Sequence, residues 1–185
     1  MTQGGSNARM IIALLMMLAS ISVAHAEEPA VGAHAFMAPY RTQCSDRIYA
    51  SCVDQRKILS AGLAEAKAEG KRALIVFGFN SCPPCNVLDF WLKSPEGAAL
   101  TQSYVQIELS IFDKTGALRP EIYSDVLPRL GLSINQTPPY GVPLFAIVDP
   151  VAAKVIGQPI LGFGARHHEQ HAAYLTAYAN SEKPK

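Results

Sequence analysis

The sequence predicts an α/β sandwich of three layers, in which helices cover both faces of one mixed β-sheet. Short apolar runs of strand length alternate along the chain with stretches of helical periodicity. The chain has 185 residues, of which 49% are hydrophobic and 17% charged. That length and composition suit one domain with a substantial core.

The first 26 residues predict a secretory signal rather than part of this domain. Residues 1–9 carry one charged side chain, Arg9, and residues 10–23 are almost wholly apolar. Ala24 and Ala26 then supply the small residues that a signal peptidase recognises, so we expect cleavage after Ala26. The apolar run is short for the alternative, an uncleaved anchor. The expected location is therefore periplasmic, where disulfides among the four cysteines persist.

The charge balance argues against nucleic-acid binding. Lys and Arg number 16 against 15 Asp and Glu, and Arg9 leaves with the signal. A nucleic-acid binder needs a basic face that such a balance does not favour.

The N-terminal elements follow from the residue pattern. Residues 27–56, with scattered Pro, Gly and Tyr, predict an extended N-terminal arm, and residues 57–185 the main domain. An apolar stripe predicts a helix over residues 56–70, stopped by Gly70. Residues 73–79 predict a buried strand, residues 80–85 a turn, and residues 87–93 a helix.

The C-terminal elements complete the sandwich. Ser94 and Pro95 can start a further helical piece. Alternating residues 104–110 predict a strand, followed by a loop over 111–119 and a helix over 120–130. Residues 137–143 form a proline-rich approach to strands over 144–148 and 154–161, and a helix over 165–180 ends the domain.

The chemistry is expected at Cys82-Pro83-Pro84-Cys85, between the first strand and the next helix. Thiol–disulfide exchange needs a thiolate, and the unpaired N–H groups and positive dipole of a helix N-terminus favour one. Cys85 lies one helical turn further on the same face. We therefore expect Cys82 to attack, open to solvent, and Cys85 to resolve.

With this motif, and with Gly141-Val142-Pro143 before a strand, the chain resembles the thioredoxin family over roughly residues 57–180. The resemblance implies a thioredoxin-like three-layer sandwich behind the N-terminal arm, with thiol–disulfide exchange as the activity and no cofactor. It also implies a cis peptide bond at Pro143, facing the dithiol, and docking of peptide-like substrates beside Val142 and Pro143.

Several residues depart from the family pattern. Ser81 stands where the family usually has Trp, and Val76 where thioredoxin has a buried Asp that assists the resolving thiol. Glu108 could substitute for that Asp, although a solvated strand residue is the favoured interpretation. Asp89 is expected on the surface. The additional chain length over residues 110–140 is expected beside the active site.

The second cysteine pair, Cys44 and Cys52, predicts a structural disulfide that pins the arm. A relay that exchanges electrons with Cys82 is the alternative, since four cysteines allow three pairings. For the dithiol itself, an inert disulfide and half of a zinc site are the alternatives.

Histidines and aromatic residues carry weaker signals. His167, His168 and His171 are expected to form a solvated cluster, and no metal site is expected. The aromatic residues near the dithiol helix are expected in the core; they are Phe77, Phe79, Phe90 and Trp91. Trp91 could also line a docking groove.

The sequence thus predicts a monomeric, exported thiol–disulfide oxidoreductase, with reduction slightly favoured over oxidation or isomerisation. Its expected partners are exported protein or peptide disulfides and a membrane or periplasmic dithiol that supplies electrons. The alternatives are a periplasmic copper or zinc carrier that uses the dithiol and a redox-inert thioredoxin-fold interaction domain.

Overall fold

The computed structural model describes residues 35–133, 141–164 and 167–179, which build a four-stranded mixed sheet of order β2-β1-β3-β4. Strand β1 runs parallel to β2 and antiparallel to β3, and β3 runs antiparallel to β4. The strands are β1 Arg72–Gly78, β2 Tyr104–Ser110, β3 Leu144–Asp149 and β4 Lys154–Leu161.

Six α-helices accompany the sheet within the described residues: α1 Ala38–Cys44, α2 Gln55–Ala68, α3 Pro83–Leu92, α4 Pro95–Thr101, α5 Leu127–Leu130 and α6 His168–Ala179. A 3-10 turn, Ala35–Met37, precedes α1, and a π-helical turn, Ile122–Val126, leads into α5. None of these helices combines the length and apolar character that crossing a membrane requires.

The helices lie in two layers with the sheet between them. Apolar side chains of α2 and α5 pack on one face of the sheet, in a core that includes Ile107 and Leu109 of β2. Leu88 of α3 and Leu175 of α6 pack on the other face, against Phe145 of β3. The result is the thioredoxin-like α/β/α sandwich that the sequence predicted.

The prediction of an extended N-terminal arm is wrong over residues 35–44, because Ala35–Met37 is a 3-10 turn and Ala38–Cys44 is helical. Pro39 occupies the first turn of α1, where a missing N–H costs no helical bond. The helix ends at Ser45, whose φ of 57° is left-handed. Seven residues are too few to display a clear apolar stripe. The predicted signal, residues 1–26, lies outside the described residues.

The other boundaries agree with the prediction to different degrees. Strands β2 and β4 have the predicted bounds, and β1 lies one residue earlier than predicted. Helix α3 begins at Pro83, with the two prolines in its first turn, as expected from a helix start at Cys82. The helix predicted over residues 120–130 contains the π-helical turn Ile122–Val126.

Candidate active site

Cys82 is the N-cap residue of α3. Its backbone is extended (φ −84°, ψ 112°), and its Sγ accepts a hydrogen bond from the Cys85 N–H at 3.2 Å. Pro83 and Pro84 fill the first turn without losing a helical hydrogen bond. The sulfur therefore lies at the positive end of the helix, where a negative charge is stabilised.

Both predicted cysteine pairs are closed disulfides. Cys82 and Cys85 are joined with a Cα–Cα distance of 5.2 Å. Cys44 and Cys52 are joined with a Cα–Cα distance of 5.4 Å. Cys44 is buried and Cys52 is exposed, so the second disulfide lies between the core and the surface.

The expectation that Cys82 is open to solvent is wrong for this oxidised form. Cys82 is 1% exposed and Cys85 is fully buried. Both sulfurs belong to the apolar cluster that also contains Leu88 and Phe145. The neighbours Ser81 and Pro83 are exposed, so Cys82 lies directly beneath the surface. Chemistry at this sulfur therefore requires a local opening.

Pro143 lies at the same end of the sheet as the dithiol. The Val142–Pro143 peptide bond is cis, as the resemblance implies. The next residue, Leu144, pairs with Phe77 near the end of β1, while the Pro143 carbonyl accepts a hydrogen bond from the Gly162 N–H at 2.8 Å. Val142 is partly buried and packs against the cluster that contains both cysteines.

Gly78 brings Cys85 close to the N-terminal arm. A Cβ at this position would collide with the Tyr49 hydroxyl group and would lie 2.9 Å from Cys85 Sγ. Glycine therefore allows the phenol ring and the sulfur to approach the end of β1 together. Burial raises the pKa of Tyr49 well above its usual value, and the nearby carboxylate of Glu108 raises it further.

Glu108 lies in the protein interior near Cys85, which makes the favoured solvated interpretation wrong. Every residue of β2 is buried, and Glu108 is 5% exposed. It pairs in register with Val76, the position where the family acid is absent. The side chains of Glu108, Cys85 and Tyr49 line one small cavity, which Asp89 also lines.

Arg41 of α1 is a close counterion of Glu108. Arg41 Nη2 lies 3.1 Å from Glu108 Oε2. Burial raises the pKa of Glu108, Arg41 opposes that rise, and Asp89 adds to it. Asp89 itself forms an ion pair of 2.7 Å with Lys93. A buried carboxyl of raised pKa that lines the same cavity as a thiol is suited to accept the proton of that thiol.

Asn80 fastens the arm to the loop that precedes Cys82. Its Oδ1 accepts hydrogen bonds from the N–H groups of Ile48 (3.2 Å) and Tyr49 (3.1 Å), and its Nδ2 donates to the Tyr49 carbonyl at 2.8 Å. Sequence reasoning missed this role, as it missed Arg41 and Tyr49. Their partners are far away along the chain, and no local pattern indicates the contacts.

An open cleft of about 550 Å³ lies beside Ser81. Its walls come from the arm, from the loop after β1 and from residues 110–116, so part of the additional length lies beside the site, as predicted. Phe79 and Phe112 meet edge to face on its wall, with ring centroids 5.0 Å apart. Most polar side chains on its walls already have hydrogen-bond partners within the protein.

The aromatic and histidine predictions need two corrections. Phe90 is 77% exposed rather than part of the core. His171 is fully buried, with its ring near Phe145, Phe163 and Trp91, rather than solvated. Burial lowers the pKa of His171. Within the described part of the chain, no group of three or more His, Cys, Asp and Glu could hold a metal ion.

Among known proteins, the chain is similar to a solved structure. That structure is the disulphide isomerase from Xylella fastidiosa Temecula1, at 23% sequence identity and a TM-score of 0.41. The match covers 57% of this chain and 72% of that chain. No family model matches the chain, and no curated protein matches it.

Proposed function

We propose that this protein catalyses thiol–disulfide exchange on exported proteins through Cys82 and Cys85, with reduction as the favoured direction. The observation that carries the proposal is the closed Cys82–Cys85 disulfide at the N-terminus of α3. The Cys85 N–H that meets Cys82 Sγ would stabilise a thiolate there after reduction. Periplasmic location, after cleavage at Ala26, belongs to the same proposal.

The reaction begins with the reduced dithiol. The Cys82 thiolate attacks one sulfur of a substrate disulfide, and the other substrate sulfur leaves as a thiolate. The Cys85 thiolate then attacks Cys82 Sγ in the mixed disulfide, which closes the Cys82–Cys85 bond and releases the second substrate thiolate. The substrate disulfide gains two electrons, and the protein dithiol loses two. A partner dithiol returns them.

Glu108 takes the proton from Cys85 before the second attack. The side chains of Glu108 and Cys85 line the same cavity, and the positive charge of Arg41 balances the negative charge of the Glu108 carboxylate once it is ionised. The raised pKa of Glu108 brings its proton affinity closer to that of a thiol.

The substrate docks as an extended chain beside Val142 and Pro143, at the sheet end that also carries the dithiol. The register of Leu144 opposite Phe77 supports this location. Local opening above Cys82 accompanies docking, because the sulfur is buried in the closed form.

Two measurements on residues 27–185 test the exchange reaction. With dithiothreitol as electron donor, we expect the protein to accelerate reduction of insulin disulfides, and Cys82→Ser to abolish the acceleration. In Cys85→Ser, mixed disulfides on Cys82 should accumulate, because the resolving thiol is absent. No acceleration together with no trapped adducts would overturn the proposal and favour a redox-inert interaction domain.

A further inference from the structure

We propose that an apolar stripe on α3, formed by Pro83, Val87 and Phe90, is the docking surface for apolar side chains of polypeptide substrates. The inference rests on the proposed exchange at Cys82 and names the substrates that the exchange favours: polypeptides with an apolar side chain a few residues from the reactive cysteine.

The three residues share one side of the helix. They are separated by four and three positions, which places them on one face. Pro83 is exposed, Val87 is 52% exposed and Phe90 is 77% exposed. The opposite side of α3 is buried and holds Cys85, Leu88 and Leu92. The stripe is therefore a continuous outer face and not a set of scattered residues.

The position of the stripe connects it to the dithiol. It begins at Pro83, between the two cysteines, and reaches Phe90 after about 10 Å along the helix axis. A polypeptide joined to Cys82 as a mixed disulfide thus has the stripe within three or four residues of its own cysteine. A single exposed apolar residue is ordinary, but an aligned set that starts at the reactive motif is consistent with a contact surface.

The size and charge of the stripe indicate its occupant. Three side chains cannot supply the roughly 800 Å² per partner that a stable interface buries, so a permanent dimer is not indicated. Transient redox encounters lie at the low end of interface size. The stripe has no charged side chain, and Asp89 beside it is paired with Lys93. Apolar contact, rather than charge attraction, therefore selects the substrate.

The test compares two disulfide-linked peptides that differ only in Leu or Ser three residues from the cysteine. Glutathione disulfide is the small substrate, and dithiothreitol the donor. We expect the native protein to reduce the Leu peptide with about tenfold higher kcat/KM than the Ser peptide. Phe90→Ser should remove most of this preference, and Val87→Ser part of it. Turnover of glutathione disulfide should not change in either variant.

Val151 provides a matched control, because it is 51% exposed but lies in the turn after β3, at the sheet end away from the dithiol. Val151→Ser should keep the full preference. The docking proposal would be overturned if the native protein showed no preference for the Leu peptide, or if Phe90→Ser kept the full preference. In either case, continued turnover of glutathione disulfide would show that the proposed exchange reaction still holds. Sedimentation showing a native dimer that Phe90→Ser dissociates would also overturn it, in favour of a second copy as occupant.

Discussion

Glu108 is the residue whose surroundings differ most from the expectation. Alternation along β2 suggested a solvated carboxyl, but an edge strand that other elements cover has two buried faces. The covering elements include the arm, which supplies Arg41. A single sequence does not show which strand of a sheet receives such a cover. This is why Glu108 could be proposed from the sequence as a substitute for the missing acid but not favoured.

Glu108→Gln tests the proton transfer. At pH 7 we expect kcat for disulfide reduction to fall by about two orders of magnitude, the lower end of the size typical of general acid–base catalysis. The loss should shrink at alkaline pH, where Cys85 ionises unaided. The native protein should also lose activity as the pH falls through the raised pKa of Glu108, because the protonated carboxyl cannot accept a proton.

Asp89→Asn is the control for this prediction. Asp89 lines the same cavity but is held by Lys93, so its replacement should change kcat by less than about threefold. An unchanged pH profile in Glu108→Gln would contradict the assignment of the proton acceptor.

His171 gives a second prediction at the residue scale, for stability. Burial lowers the pKa of His171 in the folded protein below 6.5. Between that lowered pKa and 6.5, the unfolded chain binds more protons than the folded protein. The contribution of the neutral, buried His171 to the free energy of unfolding is therefore fully present above pH 6.5 and is lost as the pH falls. Each pH unit in that window costs at most about 1.4 kcal/mol. Urea unfolding between pH 7.5 and 5 should show this slope reduced in His171→Phe and retained in His168→Phe.

At the scale of elements, long segments with clear periodicity were predictable and short ones were not. Strand β2 has its predicted bounds because its residue pattern is uninterrupted. Strand β4 also has its predicted bounds, although Gly157 has a φ of 73° and the pairing with β3 shifts register. Helix α1 was not predicted, because its seven residues around a proline display no apolar stripe of helical periodicity. Its stability comes from burial against the domain and from its terminal disulfide, both of which are tertiary features.

The Cys44–Cys52 disulfide is expected to stabilise the arm. Replacing both cysteines with Ser should lower the free energy of unfolding by about 2–3 kcal/mol, the value expected for opening a loop of this length. Reduction of glutathione disulfide and of insulin should continue at temperatures well below the transition. Calorimetry and the two turnover assays check this. Loss of insulin turnover in a variant that remains folded would favour the electron relay instead.

At the scale of the whole molecule, the sequence predicted the layers and the dithiol, but not what surrounds the sulfurs. Arg41 and Tyr49 reach the dithiol region from a distant part of the chain, and the hydrogen bond from Tyr49 to Asn80 spans 31 residues. Local patterns contain no information on such contacts. The burial of Cys82 follows from the same packing, in which helix, arm and sheet close around the disulfide.

We expect the Cys82–Cys85 bond to open and close reversibly despite its burial. The most direct measurement equilibrates the protein with thiol and disulfide mixtures that range from glutathione to dithiothreitol, alkylates the free thiols and counts labels on the Cys82–Cys85 peptide by mass spectrometry. We expect one reversible transition between no label and two labels, at a mixture within that range. A peptide that stays unlabelled in every mixture while the protein remains folded would contradict this expectation.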